Sequence, residues 1–343
     1  MKLSENVNLK KYNTFMLPSI ARYFVEINST EDIHELLNSD IYKNAQKKYI
    51  LWEWSNTIFM QDFDWLIIKI NIKWKEILKS DGETLIKVWA GEIRYDLVSR
   101  CAENDFVWME NLAYIPSSVW ASAVQNIWAY WAEAKDVIYD VEWIDLATWE
   151  TKIFKNLDCK FWYRDSIFKH ELKDNFLITY VTYKLKEYSD NYQFNCEYAG
   201  INEKIEELWF NSNNIKPTEF VQVITEIRKW KLPDWHEIWT AWSFFKNPVI
   251  PVEHRNSLHQ ESPELKWFEV EEWIKLSAWQ LIDICGFKWK WNWKVWTYKT
   301  HALILVNEWN AAWDDVVSFS KEIQDAIYDK FWVIIEPEAI FVK

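Results

Sequence analysis

Glycine is nearly missing from this chain. Its 343 residues include four, Gly82, Gly91, Gly200 and Gly286, where average usage of about 7% would give roughly 24. As written, the chain lacks the residue on which tight turns, helix ends and phosphate-cradling loops depend. Cysteine is also sparse: Cys101, Cys159, Cys196 and Cys285 are scattered, with no CxxC pair. That excludes a disulfide framework and a thiolate metal centre, and predicts reduced structural thiols and no bound metal. No run approaches the roughly 18 apolar residues of a membrane span, and the opening MKLSENVNLKKYNTFMLPSI has no apolar signal core. We therefore expect no membrane insertion and a cytoplasmic location. Positive charge is in deficit, with 39 Lys and Arg against 52 Asp and Glu, a net charge of −13. Nucleic acid is a poor partner for such a chain, because the phosphate-neutralising footprint is missing.

What is present in excess is tryptophan. There are 27, a surplus similar in size to the glycine deficit, and the rings sit where turn chemistry belongs. LATWET puts Trp149 in a hairpin turn, and LPDWHEIW puts Trp235 after Pro-Asp. NEWNAAWDD brackets Asn310 with Trp309 and Trp313, where φ > 0 is expected. DKFWVIIEPE puts Trp332 where a helix should end in glycine. The expectation is that most of these tryptophans are glycines in the living protein. The UGA codon is a stop in the standard code, tryptophan in some lineages and glycine in others. The rival is a natural Trp-rich protein whose exposed rings stack on sugars.

With 50% hydrophobic and 27% charged residues, the chain is long enough for two or three domains with real cores. YILWEWSNTIF, LIIKINI, TLIKVWAG and NFLITYVTYKL are β-branched and aromatic and predict strands. STEDIHELLNSD predicts a helix capped by Ser29 or Thr30 with an acidic first turn. EIRYDLVSRCAEN, PTEFVQVITEIRKWK and NAAWDDVVSFSKEIQDAIYDKF carry the i, i+3, i+4 apolar spacing of amphipathic helices. The fold class is therefore α/β (α+β), with a boundary near KLPDW, residues 231–235. Neither an internal repeat nor a low-complexity tract interrupts it.

Two stretches carry chemistry. With Gly for Trp, YILWEWSNTIF becomes a strand, a Gly-rich turn and Ser55-Asn56, in which backbone N–H groups could close on a phosphate. It lacks the third glycine and following helix of a dinucleotide fingerprint, so a plain hairpin is an equal alternative. MENLAYIPSSVWASAVQNIWAYWAE (109–133) gathers small residues and amides suited to a large flat ligand with a polar edge.

These stretches, with others, resemble the UDP-N-acetylenolpyruvoylglucosamine reductase family. The matching pieces, in the family's order, are YNTF (12–15), LWEWSN (51–56), ENLAYIPSSVWASAVQNIWAYW (110–131), FWYRDSIFKHE (161–171), KLPD (231–234), AWSFFKNP (241–248), SAWQLIDICGFKWK (277–290) and EPEAIF (336–341). At Trp52, Trp54, Trp128, Trp131, Trp162, Trp242 and Trp279 the family pattern has glycine, which supports the codon reading. One departure is Ser117, where the family commonly has glycine.

The resemblance implies a two-subdomain FAD-binding fold of the vanillyl-alcohol-oxidase type plus a separate α/β substrate-binding domain. The expected segments are 1–73 and 74–232 for the FAD subdomains, 233–331 for the substrate domain, and 332–343 returning to the active site. It implies FAD as cofactor, NADPH as co-substrate and UDP-N-acetylglucosamine enolpyruvate as substrate, reduced to UDP-N-acetylmuramate in peptidoglycan precursor synthesis by a monomer. NADPH reduces the flavin, which passes hydride to C3 of the enolpyruvyl group, and a proton is delivered at C2. By the same resemblance Ser243 is the proton donor, Arg164 the catalytic arginine and Glu338 the third catalytic residue. FAD falls to Trp52, Glu53, Trp54, Ser55, Asn56, Pro116, Ser117, Ser118, Trp120, Ala121, Ser122, Gln125, Asn126, Trp128, Ala129 and Tyr130. Tyr163, Tyr198, Lys231 and Asn247 fall on the substrate side, while His170 and His301 are structural. Indole rings at 52, 54, 120, 128 and 131 would crowd the flavin. The remaining alternatives are another flavin oxidoreductase of this fold and a non-enzymatic sugar-binding module.

Overall fold

A computed structural model describes residues 1–51, 56–72, 75–80, 83–234, 236–241, 243–270, 273–308 and 310–343. Its contacts divide the chain into two compact units. One comprises Met1–Glu5, Tyr23–Glu53 and Trp65–Trp230; the other comprises Asn6–Arg22, Trp54–Asp64 and Lys231–Lys343.

The first unit is organised by the strand Phe176–Glu187. Its sequence FLITYVTYKLKE is buried along most of its length, so it runs as a near-continuous apolar stretch rather than an alternating one. It pairs antiparallel with Ile138–Asp145 on one side and Glu83–Trp89 on the other, and Thr151–Lys155 and Lys75–Ser80 extend the sheet outward. Lys48–Leu51 and Phe63–Ile70 pair in parallel, Lys48 opposite Leu66. The helix Thr30–Asn38 begins as its sequence requires: the Ser29 hydroxyl accepts the Asp32 N–H at 3.2 Å, and Glu31 and Asp32 face the positive end of the helix dipole. Helix Pro217–Lys231 buries Phe220, Ile224 and Ile227 at i, i+4, i+7.

The second unit has its own core. The helix Trp313–Phe331 lays Val316, Phe319, Ile323 and Ile327 into it, together with Phe15, Ile58, Phe244, Leu281 and Leu305. Two small antiparallel sheets complete it, one through Leu305–Asn307 and Val295–Thr297, the other through Trp273–Leu276. The last strand, Ile340–Val342, pairs in parallel with Thr57–Phe59.

Among the described residues seventeen non-glycine residues have positive φ, and seven of them are tryptophan: Trp108, Trp131, Trp149, Trp209, Trp289, Trp293 and Trp332. Trp149 (φ 65°) and Trp332 (φ 54°) meet the turn expectation. Trp313 corrects it. Trp313 is the first residue of a helix whose start is fastened by the Asp315 carboxylate accepting the Ala312 N–H at 2.8 Å, and the positive φ falls on Asn310 instead. Trp235 and Trp309 lie outside the described residues.

Candidate active site

In the first unit the site is a buried loop and helix. The segment 117–120 runs beside residues 90–94: Val119 N–H donates to Glu92 O at 2.8 Å, Trp120 N–H to Ala90 O at 2.9 Å, and Arg94 N–H to Ser117 O at 2.9 Å. Gly91 lets residues 90–94 lie close to the backbone at Ile70 and Ile72, because a Cβ there would lie 2.9 Å from Ile72 O. Arg94, buried to 1% exposure, fastens the loop from inside: Nη1 donates to Leu112 O at 2.8 Å, Nη2 to Ile115 O and Nε to Ser117 Oγ, both at 3.3 Å. The helix Val119–Gln125 is buried throughout and ends on Asn126 in the left-handed conformation. Pro116, Ser117, Ser118, Ala121, Ser122, Gln125, Ala129 and Tyr130 are all buried, and Trp128 half-buried.

Asn126 uses its whole amide structurally. Nδ2 donates to Trp162 O at 3.0 Å and to the Glu133 carboxylate, while Oδ1 accepts the Lys135 N–H at 2.9 Å. Ser166 Oγ donates to Val124 O at 2.7 Å. These bonds fasten the tight turn Trp162–Asp165, whose two ends exchange N–H···O bonds of 3.1 Å, onto the end of the helix. Arg164 sits at φ 55° in that turn and Tyr130 at φ 48°. Left-handed backbone at bulky residues is uncommon and concentrates at functional sites.

Three functional candidates escape sequence reasoning. Arg228, on the buried face of Pro217–Lys231, donates from Nε to Tyr114 O at 2.8 Å and lies 5.8 Å from the Tyr130 ring centroid. Burial lowers its pKa, and the charge of Arg164 lowers it further. Two guanidiniums that repel one another favour an anionic ligand beside them. Arg94 is the second. Glu110 is the third: its carboxylate accepts the Trp108 N–H and the Tyr192 hydroxyl, each at 2.6 Å, and burial raises its pKa. Asn111 Nδ2 donates to Tyr130 O and Asn195 O, tying Tyr130 to the loop that carries Tyr198, whose ring meets that of Tyr130 edge-on at 4.6 Å. A charged or amide residue on an apolar stripe is the signal that could have marked them.

In the second unit the segment that follows Ser243 pairs with the segment that holds Glu338. Glu338 N–H donates to Phe244 O at 2.7 Å, Phe245 bridges to Pro337, and Lys246 N–H donates to Glu336 O at 2.9 Å. Asn56 links the two segments, with Nδ2 donating to Ser243 O at 3.4 Å and its carbonyl accepting the Ile340 N–H at 2.8 Å. Lys231 O accepts the Thr300 hydroxyl at 2.7 Å. Asn247 Oδ1 accepts the Ala278 N–H at 2.9 Å, capping the helix Ala278–Ile284. Trp52, Glu53, Trp54, Ser55 and Trp242 lie outside the described residues. His170 is tied to Asp165 at 2.6 Å. None of the four cysteines forms a disulfide, and burial pushes the Cys159 thiol up to about 12, which removes it as a nucleophile. Among the described residues no cluster of metal-ligating side chains occurs, and no helix is long and apolar enough to cross a membrane.

Two family models match the chain: an FAD binding domain over residues 21–151 and the UDP-N-acetylenolpyruvoylglucosamine reductase C-terminal domain over 234–342. The UDP-N-acetylenolpyruvoylglucosamine reductase of Flavobacterium johnsoniae is 38% identical over 98% of this chain and 99% of its own. The chain belongs to this family. The Bdellovibrio bacteriovorus reductase is 35% identical over 99% of both chains. The crystal structure of UDP-N-acetylenolpyruvylglucosamine reductase from Thermus caldophilus matches at TM-score 0.68 over all of both chains with 19% identity, which shows the shared fold. The family is one of FAD-dependent oxidoreductases, and the α/β fold with an FAD-binding portion and a distinct C-terminal domain is the expected one.

The described residues fit FAD in backbone and polar groups. In the second unit Asn56 Oδ1 is buried without a hydrogen-bond partner among the described residues, and in the first small side chains occupy 117, 118, 121 and 122. The indole of Trp120 is the exception. It is 1% exposed, lies 5.6 Å from the Phe176 ring, and lines a cavity of about 200 Å³, below the roughly 300–1,000 Å³ of ligand pockets.

Proposed function

We propose that this reductase consumes NADPH to reduce the enolpyruvyl group of UDP-N-acetylglucosamine enolpyruvate to the lactyl ether of UDP-N-acetylmuramate, a step of peptidoglycan precursor synthesis. FAD is held by subdomains 1–73 and 74–232 through Trp52 to Asn56 and the loop 116–130. The substrate is held by 233–331, and 332–343 carries Glu338. The observation that carries the reading is the pairing of the segment after Ser243 with the segment that holds Glu338, through the 2.7 Å bond from Glu338 N–H to Phe244 O.

FAD bound there would supply the hydride transfer between NADPH and C3 of the enolpyruvyl double bond. The Ser243 hydroxyl gives its proton to C2. A hydroxyl is a weak acid, but an enolate carbon is a strong base, so the transfer needs tight geometry rather than a shifted pKa. The Asn56 amide and the Glu338 backbone hold that segment in place, and the Glu338 carboxylate orients the hydroxyl. Arg164 grips the substrate carboxylate and stabilises charge developing next to it. Its proximity to Arg228 supports an anion at that point. Lys231, Asn247, Tyr163 and Tyr198 hold the uridine diphosphate portion, with lysine as a point charge for phosphate. The protein acts as a monomer in the cytoplasm.

The test is NADPH oxidation followed with and without the enolpyruvyl nucleotide. Consumption that requires the nucleotide supports the reading. Consumption indifferent to it points to another oxidoreductase of this fold.

A further inference from the structure

We propose that the tryptophans at the left-handed turns and in the flavin loop are glycine in the native polypeptide, UGA being read as glycine. The part concerning the flavin loop rests on FAD as cofactor; the part concerning the turns stands without it.

Among the described residues tryptophan is the residue type found most often at positive φ. Among the described residues seven tryptophans have positive φ, and none of the phenylalanines does. Asn and Asp are the residues ordinarily enriched there, and a bulky ring is an outlier. Three of these tryptophans fall where glycine has a mechanical role. Trp332 is the left-handed residue closing the helix Trp313–Phe331, with its N–H donating to Tyr328 O at 2.8 Å, as a C-terminal glycine does. Trp149 lies in the connection between the antiparallel strands Ile138–Asp145 and Thr151–Lys155, its N–H donating to Asp145 O at 2.6 Å. Trp293 opens the two-residue connection between Asn292 and Val295, which pair across the hairpin. Gly286, at φ 76°, likewise follows the end of the helix Ala278–Ile284.

Solvent exposure agrees. Trp209 and Trp293 are more than 90% exposed and Trp332 is 70% exposed, whereas tryptophan is highly buried on average. The buried ones are also anomalous. Trp120, Trp143, Trp279 and Trp296 bury an indole N–H without a hydrogen-bond partner among the described residues, although a buried indole ordinarily finds one. In the flavin loop the Trp128 and Trp131 rings meet edge-on at 5.7 Å. A hydrogen at 120, 128 and 131 would open the helix start and the turn around Asn126 to a flat ligand. The rival of a sugar-stacking surface has one good ring pair, Trp291 on Trp296 at 4.7 Å and 3°, but those faces cover each other.

The direct experiment is tandem mass spectrometry of peptides spanning 149, 293 and 332, purified from the native source. Glycine masses at all three are expected; tryptophan masses overturn the proposal. A second readout uses recombinant protein with Trp149→Gly, Trp293→Gly and Trp332→Gly together, none of them in the proposed active site. The urea midpoint should rise; an unchanged or lower midpoint overturns the backbone argument. Flavin absorbance retained by protein with Trp120→Gly, Trp128→Gly and Trp131→Gly should exceed that of the chain as written at least tenfold, and equal retention overturns the loop part. Glycine peptides from a protein that does not turn over the enolpyruvyl nucleotide would leave this inference standing and remove the proposed reaction.

Discussion

Replacing Arg94 by methionine tests whether the flavin loop is held from inside. The substitution keeps a long unbranched side chain in a site that is 1% exposed, and removes donors to Leu112 O, Ile115 O and Ser117 Oγ. Each buried carbonyl left without a donor costs about 1–3 kcal/mol, so the two together give about 2–6 kcal/mol. Methionine recovers the desolvation cost of a buried guanidinium, which brings the expected loss to about 2–4 kcal/mol. Against a total stability of about 5–15 kcal/mol, that is a large fraction. Urea denaturation with a fitted slope measures it: the midpoint should fall with the slope unchanged. Flavin affinity should fall with it, since the loop 112–117 leads into the helix Val119–Gln125. A loss below about 0.5 kcal/mol, the level of an ordinary surface change, would refute the claim that Arg94 organises the loop.

Other expectations follow the same logic. Ser243→Ala should abolish turnover, at least about 10²-fold as for a lost general acid, while flavin reduction by NADPH persists in stopped flow. Asn247→Ala should cost about 1 kcal/mol through the lost cap on Ala278–Ile284, seen as a lower melting temperature, and also raise KM. Asn247→Asp should keep the cap yet still raise KM, which separates the two roles. Burial raises the Glu110 pKa above its ordinary 4.5, so the native state binds that proton more tightly than the unfolded chain. Stability should therefore fall as pH rises from about 4.5 through the native value. Glu110→Gln should flatten that part of a urea-midpoint profile.

Much of the fold was legible before any coordinates. Val316, Phe319, Ile323 and Ile327 announce their helix by spacing, and Ser29 with Glu31 and Asp32 announces a helix start. Trp313 was misjudged because a turn signal next to a helix does not say which residue bends; Asp315 capping Ala312 decides that. Arg94, Arg228 and Glu110 were invisible because their partners are backbone carbonyls, a guanidinium and a phenol distant in sequence. Asn126, expected on the cofactor, spends its amide on Trp162, Glu133 and Lys135. Its effect on flavin would then pass through the turn that holds Arg164. Motif text locates such a residue but does not say which of its atoms are engaged.

The most direct test of the account is an anaerobic single turnover in which flavin, first reduced with one equivalent of NADPH, is mixed with UDP-N-acetylglucosamine enolpyruvate. The account predicts rapid return of oxidised-flavin absorbance with formation of UDP-N-acetylmuramate, and no such return in Ser243→Ala. Flavin that stays reduced in the unsubstituted protein would contradict it.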